Sequence, residues 1–382
     1  MVISHSLKQS ISRTLQVSCA QVLFYWKGRV ALYAYLKALG ISHGDEVIIP
    51  GLTCVVVPNA ILYAGALPVF ADIRLDTLTM DPNKVKQLIN KRTKALIIQN
   101  TFGLSADVDL LVKIARDTGI AVIEDCTHGF GGFFEGKPNG MLSDAVFYST
   151  QWNKPFSTGL GGILVVNRTD MIQRVQELNK DLLAPNWKEV LSLRISLFAH
   201  SRVLTDGNYW RCVKLFRLLS RMGLVTGSSS ADELASLNMP LGYFKGMSNV
   251  QVKAGIKALN ALPCELKKRH AAAFAFREVL LRHGRWCIPK AFDSNNAHLK
   301  FPVLVSDRDQ FFKLAEHSRI RVSDWFVSPI HPIRDNLERW YLDVRTLPIA
   351  TAISSKLLAI NTEVEHPERV CDFLEENIGL IE

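Results

Sequence analysis

A lysine does covalent or proton-transfer chemistry only where its surroundings hold the amine short of full protonation. Lys154 is a candidate for such a place. It follows the apolar run Ala145–Tyr148 by six residues, through Ser149-Thr150-Gln151-Trp152-Asn153, and precedes the flexible turn Thr158-Gly159-Leu160-Gly161-Gly162. A lone lysine is ordinarily solvated, but one carried past the end of a buried strand stands where a bound molecule would lie. A second candidate is Ile123-Glu124-Asp125-Cys126-Thr127-His128. Its two carboxylates end an apolar strand and so face opposite sides, one as a surface or pairing residue and the other toward a crevice. Read alone, Asp125 is more readily a cap or turn residue and His128 a surface loop histidine. A third is Lys27-Gly28-Arg29-Val30-Ala31-Leu32, which opens a helix. Gly28 admits close backbone approach and the first helical amides suit an anion, although a glycine there commonly marks only a turn. The fourth, Pro50-Gly51-Leu52-Thr53-Cys54, also follows a strand.

These residues need elements to position them. Short runs at Val47–Pro50, Pro68–Ile73, Ala95–Gln99, Ala121–Asp125, Ala145–Tyr148 and Gly162–Val166 read as strands, most of them nearly wholly apolar as parallel strands covered on both faces are. Helical stretches lie between them, among them Asp81–Lys91, opened by Asp81, and Ala106–Thr118, closed by Gly119. Such alternation predicts an open, doubly wound α/β sheet with ligands at the carboxyl ends of its strands. From Asp170 to Leu241 the chain reads as helical, basic and irregular, with a turn-rich break at Gly227-Ser228-Ser229-Ser230. A long helical pattern runs from Ser248 to His283, interrupted by Pro263. The remainder reads as a small α/β unit with strands Phe301–Val305 and Ile320–Phe326 and helices Asp307–His317 and Pro367–Asn377.

Taken in order, several stretches resemble the DegT/DnrJ/EryC1/StrS family of sugar aminotransferases, which depend on pyridoxal 5'-phosphate (PLP). They are GRVALYAYLKALGISHGDEVIIPGLTC, AGALPVFADI, VIEDCTHGFGG, SDAVFYSTQWNKPFSTGLGG, MSNVQVKAGIKAL, SPIHP and LPIATAISSKLLAI. The resemblance covers nearly the whole chain. It implies an aspartate-aminotransferase-like fold (PLP fold type I), with a large domain over 1–248 and a long helix plus small α/β domain over 249–382. It implies that Lys154 is bonded covalently to PLP and moves the substrate proton, and that Asp125 keeps the pyridine nitrogen protonated. His128 would lie near the ring, and Gly28, Arg29, the Val30 amide and Ser149 would hold the phosphate. Cys54 occupies the place where relatives stack an aromatic residue on the ring. Lys245 and His331 are the implied substrate-binding residues. The implied reaction moves an amino group from glutamate or glutamine to a nucleotide-linked keto sugar, with pyridoxamine phosphate (PMP) as the intermediate cofactor form, in polysaccharide or secondary-metabolite biosynthesis. A homodimer with shared sites is implied, the segment Tyr243–Ser248 reaching into the neighbour's pocket.

The chain departs from the family at Cys54, at Leu160 where an acidic residue is usual, and at Gly242-Tyr243-Phe244-Lys245-Gly246, where an asparagine and an arginine are usual. These departures leave the PLP chemistry intact and bear on the substrate. They keep open an aminocyclitol aminotransferase and a non-catalytic regulator or scaffold retaining the fold; a lysine-less sugar dehydratase is disfavoured because Lys154 is present. The net charge of +9 suits an anionic small molecule, a nucleic acid or an anionic membrane. The basic residues are dispersed and no nucleic-acid module is recognisable. Over Trp210–Leu224, Arg211, Lys214, Arg217 and Arg221 share one helical face and Cys212, Leu215, Phe216, Leu219 and Met222 the other; packing of the apolar face is favoured over peripheral membrane contact. Seven scattered cysteines without CxxC spacing argue against a disulfide framework or a zinc site. With no apolar core in MVISHSLKQSISRTLQ and no apolar run of roughly 20 residues, the expected location is the cytoplasm.

Overall fold

The computed structural model describes residues 2–204, 207–221, 233–234, 236–289 and 295–382. In chain order, α1 (Val2–Leu15) leads to β1 (Val22–Tyr25) and α2 (Gly28–Ala38). Next come β2 (Glu46–Pro50), the two-residue β3 (Thr53–Cys54), α3 (Val56–Ala64), β4 (Leu67–Ala71), α4 (Pro82–Leu88), β5 (Thr93–Gln99), α5 (Val108–Thr118) and β6 (Ala121–Asp125). A small hairpin, β7 (Phe133–Phe134) and β8 (Lys137–Pro138), precedes β9 (Ala145–Ser149) and β10 (Gly162–Val166). The main sheet has seven strands in the order β1-β10-β9-β6-β5-β2-β4. Strands β9, β6, β5, β2 and β4 are mutually parallel, while β10 runs antiparallel to β9 and to β1. The expected mainly parallel α/β sheet is therefore what the chain forms.

Strand alternation builds the core on both faces. Ile49, Ile97, Ile123 and Phe147 pack on one side under α2 and α3, while Ile48, Leu96 and Val122 pack on the other against Leu111 and Ala115 of α5. Beyond them on that second side, Leu7, Ile11 and Leu15 of α1 cover Val146 and Tyr148. Each such leucine or isoleucine contributes about 1.5–3 kcal/mol by leaving water. Local chemistry sets the helix ends. Asp81 accepts the Asn83 N–H at 2.8 Å and opens α4, and Gly119, at φ 71°, closes α5 in the left-handed conformation that glycine adopts without strain.

After β10 come α6 (Ile172–Leu178), α7 (Trp187–Val203) and α8 (Tyr209–Arg221). The expected break at 227–230 and the end of the basic helix at 222–224 lie outside the described residues. Then α9 runs as one helix over Asn249–Arg282, with Pro263 inside it. The interruption expected at Pro263 does not occur. An interior proline costs about 3 kcal/mol, but Val252, Leu259 and Leu262 before it and Ala273, Phe276 and Leu280 after it are buried in two separate clusters. That packing holds both halves in line.

The C-terminal region contains β11 (Lys300–Leu304), α10 (Arg308–His317), β12 (Val322–Ser323), β13 (Ile330–His331), α11 (Pro348–Ser354), β14 (Leu357–Asn361) and α12 (Pro367–Glu376). Strands β11, β14 and β12 form an antiparallel sheet. The strand expected over Ile320–Phe326 shortens to two residues, because the chain turns away at Asp324 and delivers Trp325 to the cleft described below. Asp72, just beyond β4, accepts the Ile349 and Ala350 N–H groups at 3.0 Å each, so the start of α11 is tied to the main sheet. Among the described residues no helix is long and apolar enough to cross a membrane.

Candidate active site

Because β2, β5, β6 and β9 are parallel, their carboxyl ends open on one edge of the sheet, and Gln99, Asp125 and Ser149 arrive there together. Asp125 points to the same face as Ile123. Its Oδ1 accepts the Thr127 N–H at 2.9 Å, and burial pushes the carboxyl pKa up. Glu124 faces the other way and is not a surface residue. It is buried, accepting from Asn100 Nδ2 at 2.8 Å and the Cys126 thiol at 3.2 Å, and burial raises it to about 7. His128 is buried too. Its Nδ1 accepts the Phe102 N–H at 3.1 Å, which leaves the ring proton on Nε2. Burial and the nearby Lys154 and Lys300 hold its pKa well below the usual histidine value, so the ring is neutral.

Lys154 stands on a loop closed at its base. Thr158 N–H donates to Thr150 O at 2.7 Å, the two threonine hydroxyls meet at 2.6 Å, and Trp152 N–H donates to Gly159 O at 3.1 Å. Burial pulls the Lys154 amine down to about 8, helped by Arg29 and opposed by Asp125 and Cys54. Its Nζ lies 4.8 Å from the Trp325 ring centre.

The N-terminus of α2 closes one end of the cleft. A Cβ on Gly28 would lie 2.9 Å from Ser149 Cβ, and one on Gly162 would lie 2.2 Å from the Lys27 carbonyl oxygen, so these glycines let the β1–α2 turn sit directly on β9 and β10. Two cations gather here: Arg29 Nη1 is 2.6 Å from Glu233 Oε1, and Lys27 Nζ is 3.4 Å from Glu233 Oε2. Burial brings Lys27 down to about 8. Val30, whose amide was expected at the phosphate, does not line the cleft. Its side chain is buried in the core and its N–H donates to Lys27 O at 3.1 Å, so its amide already has a partner.

The third wall comes from the C-terminal region. His331 of β13 pairs in parallel with Cys54 of β3, and both line the cleft with Trp325 and Phe326. The Trp325 ring stacks on His128 at 4.9 Å with 6° between planes. Of the expected residues, Gly28, Arg29, Cys54, Asp125, His128, Ser149, Lys154 and His331 surround this one cleft, whose volume is about 230 Å³. Lys245 is elsewhere. It pairs with Glu189 of its own chain at 2.7 Å, and Phe244 beside it packs near Tyr25 and Tyr33. Two cleft residues, Gln99 and Trp325, escaped the sequence reading, as did Glu233, the partner of Lys27 and Arg29. Gln99 was legible as the end of a strand beside Asp125. Trp325 lay inside a run that reads as strand, and Glu233 had no local signal.

An amine lowered to about 8 in one cleft with a buried carboxylate, at the carboxyl ends of an open and mostly parallel sheet, is the site of an α/β enzyme class in which a lysine and an acid work together. Within that class the chain belongs to the DegT/DnrJ/EryC1/StrS aminotransferase family, whose sequence pattern matches residues 21–374. It is 38% identical over 167 residues to GDP-perosamine synthase of Escherichia coli O157:H7, an alignment covering 43% of this chain and 46% of that protein. It is 36% identical over 154 residues to L-glutamine:2-deoxy-scyllo-inosose aminotransferase of Streptomyces fradiae, covering 40% and 36%. The matched stretch thus spans less than half the length of these curated relatives. In fold it is similar to the aminotransferase TlmJ of Streptoalloteichus hindustanus, with TM-score 0.75 and 20% identity over 99% of this chain and 91% of that one. DesI, solved in the presence of its TDP-sugar product, gives TM-score 0.73 and 21% identity over 98% and 84%.

The family is PLP-dependent, and solved structures of this fold include PLP and PMP forms. The residues present fit that group. A buried carboxylate suits a protonated ring nitrogen, an amine near 8 suits an aldehyde, and Gly28 and Ser149, lining the cleft with the cations Lys27 and Arg29, suit a phosphate.

Proposed function

We propose that the chain is a PLP-dependent aminotransferase that moves an amino group from glutamate or glutamine to the keto group of a nucleotide-linked sugar. The observation that carries this reading is the placement of Lys154, its amine lowered to about 8, in one cleft with the buried carboxylate of Asp125. PLP supplies an aldehyde carbon and an electron-accepting ring. The chain's residues supply the rest. Asp125 holds the proton on the ring nitrogen. Lys154 Nζ, partly unprotonated at neutral pH, takes the proton from the amino-bearing carbon and returns it. Gly28, Arg29 and Ser149 bind the phosphate, and the neutral His128 and Trp325 exclude water from one side of the cleft. His331, beside Cys54, contacts the sugar.

We place the active form in the cytoplasm as a homodimer in which Lys245 exchanges Glu189 for an anionic group at the neighbouring site, and the domain division at 248/249. Amino-sugar supply for a polysaccharide or secondary metabolite follows from the same reading. A second reading, amination of a keto cyclitol without a nucleotide, is favoured by the similarity to the inosose aminotransferase. The test is incubation of PLP-loaded protein with glutamate or glutamine and two panels, nucleotide keto sugars and free keto cyclitols, with products identified by mass. Amination of a nucleotide sugar is the expected result. Amination of cyclitols alone would select the second reading, and no product from either panel would leave the non-catalytic scaffold.

A further inference from the structure

Helices α7 and α8 contribute little to the cleft, yet α7 carries two apolar faces. At 100° per residue, Val190, Leu193, Leu197 and His200 fall on one side. Leu193 is buried with Trp26 and Leu160, Leu197 packs beside it, and the His200 ring stacks on Trp152 at 4.9 Å. Roughly opposite, Trp187, Leu191, Ile195 and Phe198 follow one another at helical spacing and stand 70%, 46%, 59% and 67% exposed. Scattered exposed apolar residues need no explanation, but a continuous stripe of this kind is normally covered.

Charge accompanies the stripe. Arg194 and Lys188 flank it on the helical projection and Arg202 lies at its C-terminal end; all three are exposed and, among the described residues, in no ion pair. The helix α8 is held to the C-terminal region by Trp210, whose ring meets Phe312 edge-on at 5.2 Å, and by Lys214 paired with Glu316. Its outward side carries Arg211, Leu215 and Leu218. Leu215, expected on a packed apolar face, is 56% exposed. Residues 187–221 contain seven Lys/Arg and two Asp/Glu, a net +5 of the chain's +9.

We propose that α7 and α8 form a docking surface for an anionic lipid bilayer. Such a surface meets both halves of the pattern. The apolar ridge, led by a tryptophan and a phenylalanine, enters the boundary between headgroups and acyl chains, and the flanking Lys and Arg meet anionic headgroups. Self-association through this face would bring two strongly cationic surfaces together. An acidic soluble protein would match the charge but would need an apolar strip of its own to cover the ridge. Leu193, on the packed side of α7, touches Leu160, which lines the cleft, so the docked helix stands one side chain from the site.

The test is flotation of the PLP-loaded full chain with vesicles of phosphatidylcholine alone and of phosphatidylcholine mixed with phosphatidylglycerol, at low and high salt. The protein should float with the phosphatidylglycerol vesicles, little with phosphatidylcholine, and less as salt rises. Trp187→Glu with Phe198→Glu, and separately Lys188→Glu with Arg194→Glu, should each lower the bound fraction about tenfold or more. Ile195→Ser is the milder variant should a double substitution disturb folding, read by circular dichroism. No flotation on anionic vesicles at low salt, or flotation unchanged in every variant, would overturn the proposal. So would a dimer in solution that Trp187→Glu with Phe198→Glu dissociates, since the face would then join two copies of the chain. Lipid binding is read without turnover, so its failure is distinct from failure of the aminotransferase reading.

Discussion

Neighbouring carboxylates on β6 meet different surroundings because a strand sends successive side chains to opposite faces. Asp125 opens on the cleft with the Thr127 N–H to steady it, while Glu124 is shut in with Asn100 and Cys126 and is raised from 4.5 to about 7. A carboxyl raised on folding binds its proton more tightly in the folded chain. Its contribution is therefore present below about pH 4.5 and is lost as the pH rises through about 7. Glu124→Gln keeps the neutral shape at every pH. Thermal or urea unfolding should find the variant gaining on the natural chain between pH 5 and pH 8, by up to about 3 kcal/mol. Parallel stability profiles for the two proteins would mean that Glu124 titrates as an ordinary carboxylate.

Among the elements, the turn from β1 into α2 depends on two glycines that let it rest on β9 and β10. A Cβ on Gly162 would meet three backbone atoms, Lys27 O at 2.2 Å, Lys27 C at 2.4 Å and Gly28 N at 2.7 Å, none of which can swing aside as a flexible side chain would. Gly162→Ala should cost about 1–3 kcal/mol and weaken PLP retention on dialysis, because it lifts the phosphate end of the cleft away from Ser149. Unchanged stability and unchanged retention would show that the turn is not held this closely. The limits of β6 and β10, the Asp81 cap and the Gly119 stop were legible because local patterning and local chemistry agree there. The short-range signal failed where distant contacts decide. Pro263 stays helical because both halves of α9 are buried. Trp325 leaves its expected strand to stack on a histidine nearly 200 residues earlier in the chain. The Val30 amide, expected at the phosphate, donates to Lys27 O within its own turn. Lys245 was expected at a neighbour's pocket on resemblance alone, and within its own chain it meets Glu189.

At the scale of the whole molecule, the cleft exists only because two regions meet. The main sheet brings Asp125, Ser149 and Lys154, and the segment after α9 brings Trp325, Phe326 and His331 across them. Three lysines in and around the cleft have amines below the usual value: Lys154 and Lys27 at about 8, and Lys300 at about 7. A low amine pKa therefore does not by itself select the cofactor lysine. Position and partners do: Lys154 lines the cleft with Asp125, whereas Lys27, which also lines it, is paired with Glu233 at 3.4 Å, and Lys300 is bonded to Asn361 and lies 5.7 Å from the Trp325 ring centre. Capture of PLP by Lys154 should quicken as the pH rises toward about 8, where the neutral amine becomes the major form, and level off above it. The most direct measurement is borohydride reduction of the PLP-loaded protein followed by peptide mass mapping. The cofactor should be fixed to the peptide containing Lys154 and should be missing from Lys154→Ala, with no transfer to Lys27 or Lys300. A label on either of those lysines in the natural chain, or no label on any peptide, would contradict the assignment of Lys154 and the aminotransferase reading built on it.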